Sequence, residues 1–189
     1  MNRYIIADPH FGHTNIIKYE NRPFKDVFEM DEALIQNWNR TVYKDDYVYV
    51  LGDFTLSRSR KIITNLLERL NGHKILIMGN HDQLKPKDYV LCGFETAIRK
   101  PLMIEPGVIL MHEPYQDQSL INKDLIYFFG HVHAKHTLMD EYPNCKCVSV
   151  ERTNYFPVDF DELLKEMKLR NSKEYQRFKE ICQMYKNDN

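Results

Sequence analysis

Five short apolar segments, each followed directly or after one Gly by Asp, Asn or His, constrain this chain more than any other feature. The segments run from Tyr4 to Ala7, Tyr47 to Leu51, Ile75 to Met78, Val108 to Met111 and Leu125 to Phe129. Their length and their β-branched and aromatic residues indicate buried strands. Because polar residues follow all five, we expect one sheet edge that gathers metal-binding side chains.

The residues after these strands form five blocks with the chemistry of a two-metal site. The blocks are Asp8-Pro9-His10, Gly52-Asp53, Gly79-Asn80-His81-Asp82, His112 and Gly130-His131-Val132-His133. Two divalent ions about 3.5–4 Å apart need a bridging carboxylate, imidazoles and an open position for water or substrate. The candidate ligands are Asp8, His10, Asp53, Asn80, His112, His131 and His133.

Each block also has an ordinary structural interpretation. Gly79-Asn80 suits a simple turn, and an Asp after Gly, such as Asp53, often caps a following helix. A one-residue spacer, as between Asp8 and His10, places both side chains on one side of an extended backbone, but a single such pair is weak support for a metal site. It is the joint occurrence of the blocks that favours metal binding.

Length and composition limit the number of domains and the kinds of partner that the chain can have. The length of 189 residues suits one domain, with residues 159–189 expected as C-terminal helices on a domain of residues 1–158. Apolar residues make up 43%, and 26 Lys and Arg nearly balance 27 Asp and Glu, so no strong field attracts nucleic acid or a membrane. We find neither a signal peptide nor a membrane-spanning run of about 20 residues, which predicts a cytoplasmic protein.

The four cysteines, Cys92, Cys145, Cys147 and Cys182, lack the spacing of a zinc site. We expect reduced thiols, with a disulfide as the alternative. Cys145 and Cys147 are expected to share one face of a strand.

Periodicity predicts the remaining elements. A helix is expected over 31–40, with Trp38 in the core, and another carries the stripe Ile62, Ile63, Leu66, Leu67 and Leu70. Between two strands, that second helix forms a β-α-β unit with parallel pairing. Residues 98–104 and 108–111 flank Glu105-Pro106-Gly107 as a hairpin, so the second half is expected to be more antiparallel.

Shorter helices are predicted near the two termini. Thr14 is a candidate cap for a helix over 14–19. In the C-terminal segment, Asp159 and Glu162 resemble a capping box. A further apolar stripe consists of Tyr175, Phe178, Cys182 and Tyr185.

The five blocks, in this order and spread from Asp8 to His133, resemble those of the calcineurin-like metallophosphoesterases. The resemblance implies an α/β fold, a four-layer α-β-β-α sandwich of two mixed sheets flanked by helices. It implies that Asp8, His10 and His133 hold one metal and Asn80, His112 and His131 the other, with Asp53 bridging. His81 would sit at the leaving group, oriented by Asp82.

The chain departs from the family pattern at Leu56 and extends it at His13. Many members carry an acidic or polar residue three positions after the bridging Asp, where this chain has Leu56, which leaves the metal set intact. His13 extends the opening block by one imidazole and is a candidate substrate contact. His73 and His136 fall outside the blocks and are expected to be surface residues.

The expected reaction is phosphoester hydrolysis. Two metal ions would neutralise phosphoryl oxygens and lower the pKa of water, and a hydroxide bridging them would attack phosphorus in line. His81 would stabilise or protonate the leaving oxygen, with Asp82 favouring its protonated form. Nitrogen and oxygen ligands suit Mn above all, with Fe, Zn, Co or Ni as alternatives.

A small phosphodiester is the expected substrate. Arg58 and Lys85 lie close to the blocks in sequence and offer charge for a second group, while Phe11 and Tyr115 offer rings for stacking. Residues 83–97 and 113–124 are too short for a cap domain, so we expect an open cleft. The alternatives are a phosphomonoesterase, a nuclease with the same site, or a non-catalytic scaffold with this fold; a nucleic-acid partner is not favoured and no oligomeric state is predicted.

Overall fold

The computed structural model describes residues 1–173 and residue 177, which form two packed sheets with flanking helices. The strands are β1 Arg3–Ile6, β2 Tyr47–Val50, β3 His73–Ile77, β4 Thr96–Ile98, β5 Leu102–Glu105, β6 Val108–Leu110, β7 Ile126–Phe129, β8 Cys145–Cys147 and β9 Val158–Asp159. The α-helices are α1 Thr14–Tyr19, α2 Val27–Thr41, α3 Arg60–Glu68, α4 Pro86–Cys92 and α5 Phe160–Arg170.

The first sheet has the strand order β4-β3-β2-β1-β9. The strands β1 to β4 pair in parallel, and β9 pairs antiparallel with β1. In the register, Ile5 lies opposite Tyr49, and Tyr49 lies opposite Ile75. Since α3 connects the parallel strands β2 and β3, the predicted β-α-β pairing is confirmed.

The second sheet has the order β5-β6-β7-β8. The predicted hairpin is present, because β5 and β6 pair antiparallel around the turn at 105–107. The prediction of a more antiparallel second half is wrong, however, since β6 pairs in parallel with β7 and β7 with β8. Long connections, such as residues 111–125 between β6 and β7, let the chain cross over and return in the same direction.

The run of residues 98–104, predicted as one strand, is divided between the two sheets. Ile98 ends β4 in the first sheet and Leu102 begins β5 in the second. Pro101 separates them, and its ring fixes φ and removes the N–H that a continuous ladder would need. Arg99 and Lys100 therefore lie on the connection between the sheets.

The core has three parts, because strands of both sheets are covered on both faces. In β1, Tyr4 and Ile6 face the helices, whereas Ile5 faces the second sheet, as does Ala7 just after the strand. The helices α1 to α4 carry the buried residues that cover the outer face of the first sheet, and α5 contributes Phe160 and its neighbours to the layer between the sheets. On the outer face of the second sheet, side chains around the 3-10 helix Leu138–Glu141 cover β7 and β8. The predicted α/β class with two mixed sheets and flanking helices is confirmed.

Several helix predictions are corrected. The helix α2 begins at Val27, not near residue 31, because the Asp26 side chain accepts a hydrogen bond from the Glu29 N–H and caps it there. Thr14 is the first residue of α1 and not its cap. Ile62 is 57% exposed although it was assigned to the buried stripe of α3, in which Ile63 and Leu67 are buried.

Other predictions hold. Trp38 is buried and its Nε1–H donates to the Asn71 carbonyl, 3.0 Å away. The Asp159 side chain caps α5 by accepting the Glu162 N–H. Within the described residues the cysteines Cys92, Cys145 and Cys147 are free and buried.

The predicted stripe of Tyr175, Phe178, Cys182 and Tyr185 lies outside the described residues. Helix α4 was not predicted; it falls within residues 83–97, which were considered only as too short for a cap domain. Among the helices that the structure describes, none has both the length and the hydrophobicity to cross a membrane.

Candidate metal centre

The blocks found in the sequence meet at one edge of the two sheets. The strands β1, β2 and β3 of the first sheet and β6 and β7 of the second each end just before a block. We call this the carboxyl edge: the parallel strands of each sheet end there, as Gly130 N–H bonding to the His112 carbonyl illustrates for the second sheet.

Five of the seven predicted ligands have a positive φ, which is uncommon for residues other than Gly. The angles are 57° at Asp8, 53° at His10, 51° at Asp53, 73° at His131 and 53° at His133. Such conformations cost about 1–3 kcal/mol each and cluster at functional sites. They also correct the assumption that Asp8 and His10 share one side of an extended strand, because both backbones turn into the left-handed region.

Glycines allow the blocks to approach one another. A Cβ on Gly79 would lie 2.6 Å from the backbone nitrogen of Asp53, and a Cβ on Gly130 would lie 2.7 Å from the Asp8 Oδ2. Real Cβ atoms do not tolerate such contacts, so these two positions require Gly.

The first donor group consists of Asp8, His10 and His133, whose donor atoms lie within 4.8 Å of one another. The His10 and His133 rings are stacked with centroids 5.2 Å apart. Among the described residues, neither ring nitrogen of the buried His10 has a hydrogen-bond partner. Burial lowers the pKa of His10 to about 2, so its imidazole is neutral and has a lone pair to offer.

The second donor group consists of Asp53, His112 and His131, again within 4.8 Å. The Asn80 Oδ1 belongs with them, because it lies 3.0 Å from His112 Nε2 and 3.0 Å from His131 Nδ1. The Nδ1–H of His112 donates to the Leu51 carbonyl at 2.8 Å, which turns its Nε2 towards the amide oxygen. A ring nitrogen and an amide oxygen at 3.0 Å need a proton or a cation between them.

Asp53 lies between the two groups. Its Oδ2 is 3.5 Å from His10 Nε2 in the first group and 3.5 Å from His112 Nε2 in the second. Its Oδ1 accepts the His81 N–H at 2.9 Å, which fixes the orientation of the carboxylate.

The titratable side chains of the two donor groups shift one another's pKa. Burial would lower the pKa of His112, but its hydrogen bond to Asp53 and the charge of Asp8 raise it to about 9. Burial would raise the pKa of Asp53, but His112 lowers it to about 2. For Asp8, burial prevails and raises the pKa to about 6. A divalent cation would take over the role of the His112 proton.

His81 belongs to neither group, although its ring lies 5.4 Å from that of His10. His13 is placed similarly, with its ring 5.4 Å from His10. The Nδ1 of His13 is buried without a partner in the described part of the chain, and burial together with the nearby His81 lowers the pKa of His13.

Asp82 does not have the role predicted for it. Its Oδ2 accepts the N–H groups of Asp53 and Gly79 at 2.8 Å each, and its Oδ1 accepts that of Phe54 at 3.0 Å. Both oxygens are therefore occupied by backbone amides and not by the His81 ring. Burial raises the pKa of Asp82 to about 6. Asp82 connects the loop after β3 to the loop after β2, which positions the Asp53 backbone.

Two residues of the site were not found in the sequence analysis. Glu151 Oε1 lies 3.0 Å from His133 Nδ1, and the guanidinium of the buried Arg22 contacts the same oxygen at 2.7 Å. Arg22 also donates to the carbonyls of Asp8 and Pro9 at 2.8 Å. A carboxylate on one His nitrogen leaves the other for a metal. In the sequence, both Arg22 and Glu151 lie outside every block.

The residues suggested for substrate binding differ in exposure and in position. Arg58 is exposed and its Nε donates to the Gln83 side chain, on the loop after His81. Phe11 is only 2% exposed and packs edge-on against Phe54, so the prediction of a free stacking ring is wrong. Lys85 is exposed at the start of α4, and Tyr115 lines a cleft beside Asn80 and His112.

The fold and the two adjoining donor groups define a metal-binding α/β protein, and comparison with known families identifies its class. Residues 1–178 match the calcineurin-like phosphoesterases. The chain belongs to this family, and the resemblance seen in the sequence is confirmed.

Individual relatives support the same assignment. The chain is 43% identical over 171 residues to an uncharacterized protein of Methanocaldococcus jannaschii, covering 86% of this chain and 89% of the relative. It is 34% identical over 162 residues to the gene 66 protein of Mycobacterium phage L5, covering 70% and 78%. A crystal structure of a protein of unknown function from Aquifex aeolicus is similar in fold, with a TM-score of 0.70, 28% identity, and coverage of 87% of this chain and 98% of that one.

Proposed function

We propose that the protein is a phosphoester hydrolase that uses two divalent metal ions. The observation that carries this proposal is the position of Asp53, with Oδ2 3.5 Å from a nitrogen of each donor group. A shared carboxylate between two clusters is what a pair of adjacent ions requires. Membership of the calcineurin-like phosphoesterases supports the same reaction class.

The proposed ligand roles follow the donor geometry. Asp8, His10 and His133 would hold one ion and Asn80, His112 and His131 the other, with Asp53 shared between the two groups. The neutral His10 and the ring nitrogens 3.0 Å from the Asn80 amide oxygen fit such ions. When bound, the ions lower the pKa of water and neutralise phosphoryl oxygens.

The chain's own residues complete the reaction. Water oxygen bonds to phosphorus as the phosphorus–oxygen bond to the leaving group breaks, and the water proton passes to solvent. His81 donates a proton to the departing oxygen, since its ring lies beside the first group and its N–H anchors Asp53. His13 and Arg58 are the proposed substrate contacts near this edge.

The finer assignments are also proposals. We assign Mn to both sites, with Fe, Zn, Co or Ni as alternatives for this nitrogen and oxygen donor set. The substrate is a small phosphodiester, with a phosphomonoester as the alternative. We place the protein in the cytoplasm, which the free cysteines of the described residues support.

Asp53→Asn tests the proposal, because an amide has one oxygen and no charge with which to bridge two ions. We expect about two Mn per chain in the wild type and less than one in the variant, measured by elemental analysis after gel filtration. Hydrolysis of bis(p-nitrophenyl) phosphate should fall at least ~10³-fold, as expected when metal-assisted chemistry is removed.

Asp45→Asn serves as the control, since Asp45 is an exposed acid outside the site. Full occupancy by two ions in Asp53→Asn would contradict the bridging role. Stoichiometric metal in the wild type without hydrolysis of either bis(p-nitrophenyl) phosphate or p-nitrophenyl phosphate would instead support a non-catalytic scaffold.

A further inference from the structure

A cleft of about 480 Å³ opens directly beside the second donor group. One wall carries Asn80 after β3, and the other carries His112 and Tyr115 after β6. Arg99 and Lys100, on the connection between the sheets, also line it. A substrate whose phosphorus sits at the metal centre therefore has space for a further group in this cleft.

Strand register explains why Arg99 and Lys100 lie at the carboxyl edge. Ile98 is paired with Ile77, and its carbonyl accepts the Met78 N–H at 2.7 Å. Neighbouring strands lie about 4.8 Å apart, so the chain leaves the sheet at Arg99 and Lys100 beside Met78 and Gly79. Asn80, a proposed metal ligand, is the next residue.

Neither Arg99 nor Lys100 is neutralised by a carboxylate of the described residues. The Arg99 Nη2 donates to the Leu84 carbonyl at 2.8 Å, which holds the guanidinium near the cleft without compensating its charge. No ion pair within 4 Å is found for Arg99 or Lys100 in residues 1–173 and 177. By contrast, Arg3, Arg22, Arg69 and Arg152 all pair with carboxylates.

One acidic side chain shares the cleft. Glu113 Oε1 lies 3.7 Å from His131 Nε2, so its charge is directed towards the imidazoles of the second donor group. Arg99 and Lys100 carry two positive charges against this one carboxylate, so the cleft attracts an anion that comes within about 8 Å, the screening length at physiological salt.

We infer that this cleft is a subsite for a second phosphate group of the substrate, bound by Arg99 and Lys100. This inference rests on the proposed function and narrows the substrate to phosphoesters that carry another phosphate, as nucleotide derivatives do. Arg and Lys are the usual side chains for phosphate recognition. The Tyr115 ring, held edge-on by Tyr127 with centroids 6.0 Å apart, provides an apolar surface in the same cleft.

The kinetic test compares two chromogenic diesters. One is the p-nitrophenyl ester of thymidine 5′-phosphate, and the other is the same compound with an additional 3′-phosphate. We expect the second phosphate to lower KM about tenfold at low salt, the size of effect that two exposed ion pairs give together. In the double variant Arg99→Gln/Lys100→Gln this advantage should disappear, so that the two thymidine diesters have the same KM.

The control is Arg40→Gln/Lys61→Gln, which removes two exposed charges away from the cleft and should keep the advantage. A wild-type protein that treats both diesters alike would overturn the subsite. So would an advantage that survives in Arg99→Gln/Lys100→Gln.

A binding experiment separates this inference from the proposed activity. Calorimetric titration of the Mn-loaded protein with thymidine 5′-phosphate, thymidine 3′,5′-bisphosphate and thymidine 5′-diphosphate requires no turnover. Tighter binding of the bisphosphate or of the diphosphate, lost in Arg99→Gln/Lys100→Gln, supports the subsite and shows where on the ligand the second phosphate lies. Equal affinity for all three ligands would refute it. If no ester is hydrolysed but this binding pattern holds, the proposed function fails while the subsite stands.

Discussion

His81 lies at the candidate metal centre but belongs to neither donor group. Its backbone N–H binds Asp53 Oδ1 at 2.9 Å, so its main chain supports the bridge. Its ring lies beside His10 but contributes no atom to either donor group. Truncating the ring therefore removes the imidazole without removing the backbone bond to Asp53.

We expect His81→Ala to keep both metals and to lose about 10²–10⁴ in kcat, the usual contribution of a general acid. The loss should be smaller for p-nitrophenyl esters than for phenyl esters, because p-nitrophenolate leaves without a proton. Metal analysis and kcat on both ester types check this. His73→Ala, which removes an exposed imidazole paired with Glu95, is the control. Equal losses on both leaving groups would argue against proton donation.

Glu151 contacts the proposed metal ligand His133, and Arg22 contacts Glu151. Glu151 accepts from His133 Nδ1 and from a guanidinium that has no exposed surface. Arg22 in turn holds the carbonyls of Asp8 and Pro9. The pair thereby fixes both the tautomer of His133 and the strained turn that carries Asp8.

Glu151→Gln should weaken metal binding at the first donor group by about 10–100-fold, the usual effect of removing such a partner of a ligating His. Competition with a chelator of known affinity measures this, and circular dichroism verifies that the variant is folded. The matched control is Glu141→Gln, since Glu141 also contacts a His but at the surface, away from both donor groups. Unchanged affinity in a folded Glu151→Gln protein would remove Glu151 from the site.

At the scale of secondary structure, the two ends of the first sheet differ in backbone conformation and in hydrogen bonding. The carboxyl ends of the strands carry the proposed ligands with positive φ, whereas the opposite end is stabilised by ordinary hydrogen bonds. Asp46, just before β2, accepts the Asn2 N–H at 2.7 Å and the Tyr43 N–H at 2.9 Å. Its own carbonyl accepts the His73 N–H at 2.7 Å, so one residue joins the starts of β1, β2 and β3.

Asp46→Asn should reduce the free energy of unfolding by about 1–2 kcal/mol at pH 7, because charge-assisted hydrogen bonds are weakened. The Asn2 N–H, above all, lowers the pKa of Asp46 below its ordinary value of 3.8. A lowered folded-state pKa gives stability that is present above the unfolded pKa and is lost as pH falls through the folded one. The difference between wild type and variant should therefore shrink below about pH 4.

Urea unfolding in the presence of a chelator, at pH 7 and at pH 3, measures this difference without a contribution from metal. Asp45→Asn controls for the loss of a surface charge. A destabilisation that is the same at both pH values would show that the ionised carboxylate of Asp46 is not responsible.

For the whole molecule, the candidate metal centre joins the two sheets. The first donor group takes Asp8 and His10 from the first sheet and His133 from the second. The second group takes Asp53 from the first sheet and His112 and His131 from the second. Ions bound there would link elements that are also held together by the apolar layer around Ile5, Leu51 and Phe128.

Removing metal should therefore lower the melting temperature. At a free Mn concentration of 100 times Kd, binding stabilises the folded state by about 2.7 kcal/mol per site. For a chain of this size, that corresponds to a shift of roughly 5–10 °C per site. Differential scanning calorimetry with a chelator and with Mn measures the shift. Asp53→Asn should show little response to Mn, and a wild-type melting temperature that is indifferent to both additions would contradict the two-metal centre.

Much of the fold and of the site follows from local sequence. Apolar runs such as Ile75 to Met78 identify strands because buried parallel strands are apolar on both faces. The ligand types could be predicted because each block follows such a run directly. The hairpin around Pro106 and the cap at Asp159 are local chemistry as well.

Other features were decided by contacts between distant parts of the chain. Asp82 was assigned to its neighbour His81, yet its carboxylate binds amides of the Asp53 loop, 28 and 29 residues away. Glu151 reaches His133, and Arg22 reaches Glu151 from 129 residues away. The second sheet became largely parallel because long crossover connections permit it.

By itself, the sequence determined the five strands that lead into the blocks, the residue types at their ends that are able to bind metal, and the family that the chain resembles, because apolar periodicity and residue chemistry are properties of short segments. Only the tertiary structure decided the left-handed turns at the ligands, the carboxylate between the two groups and the course of residues 99–101 between the sheets. These depend on which strands pair and how the two sheets pack. A one-residue change in register turns a strand's side chains to the opposite face, and no local pattern fixes the meeting of distant segments.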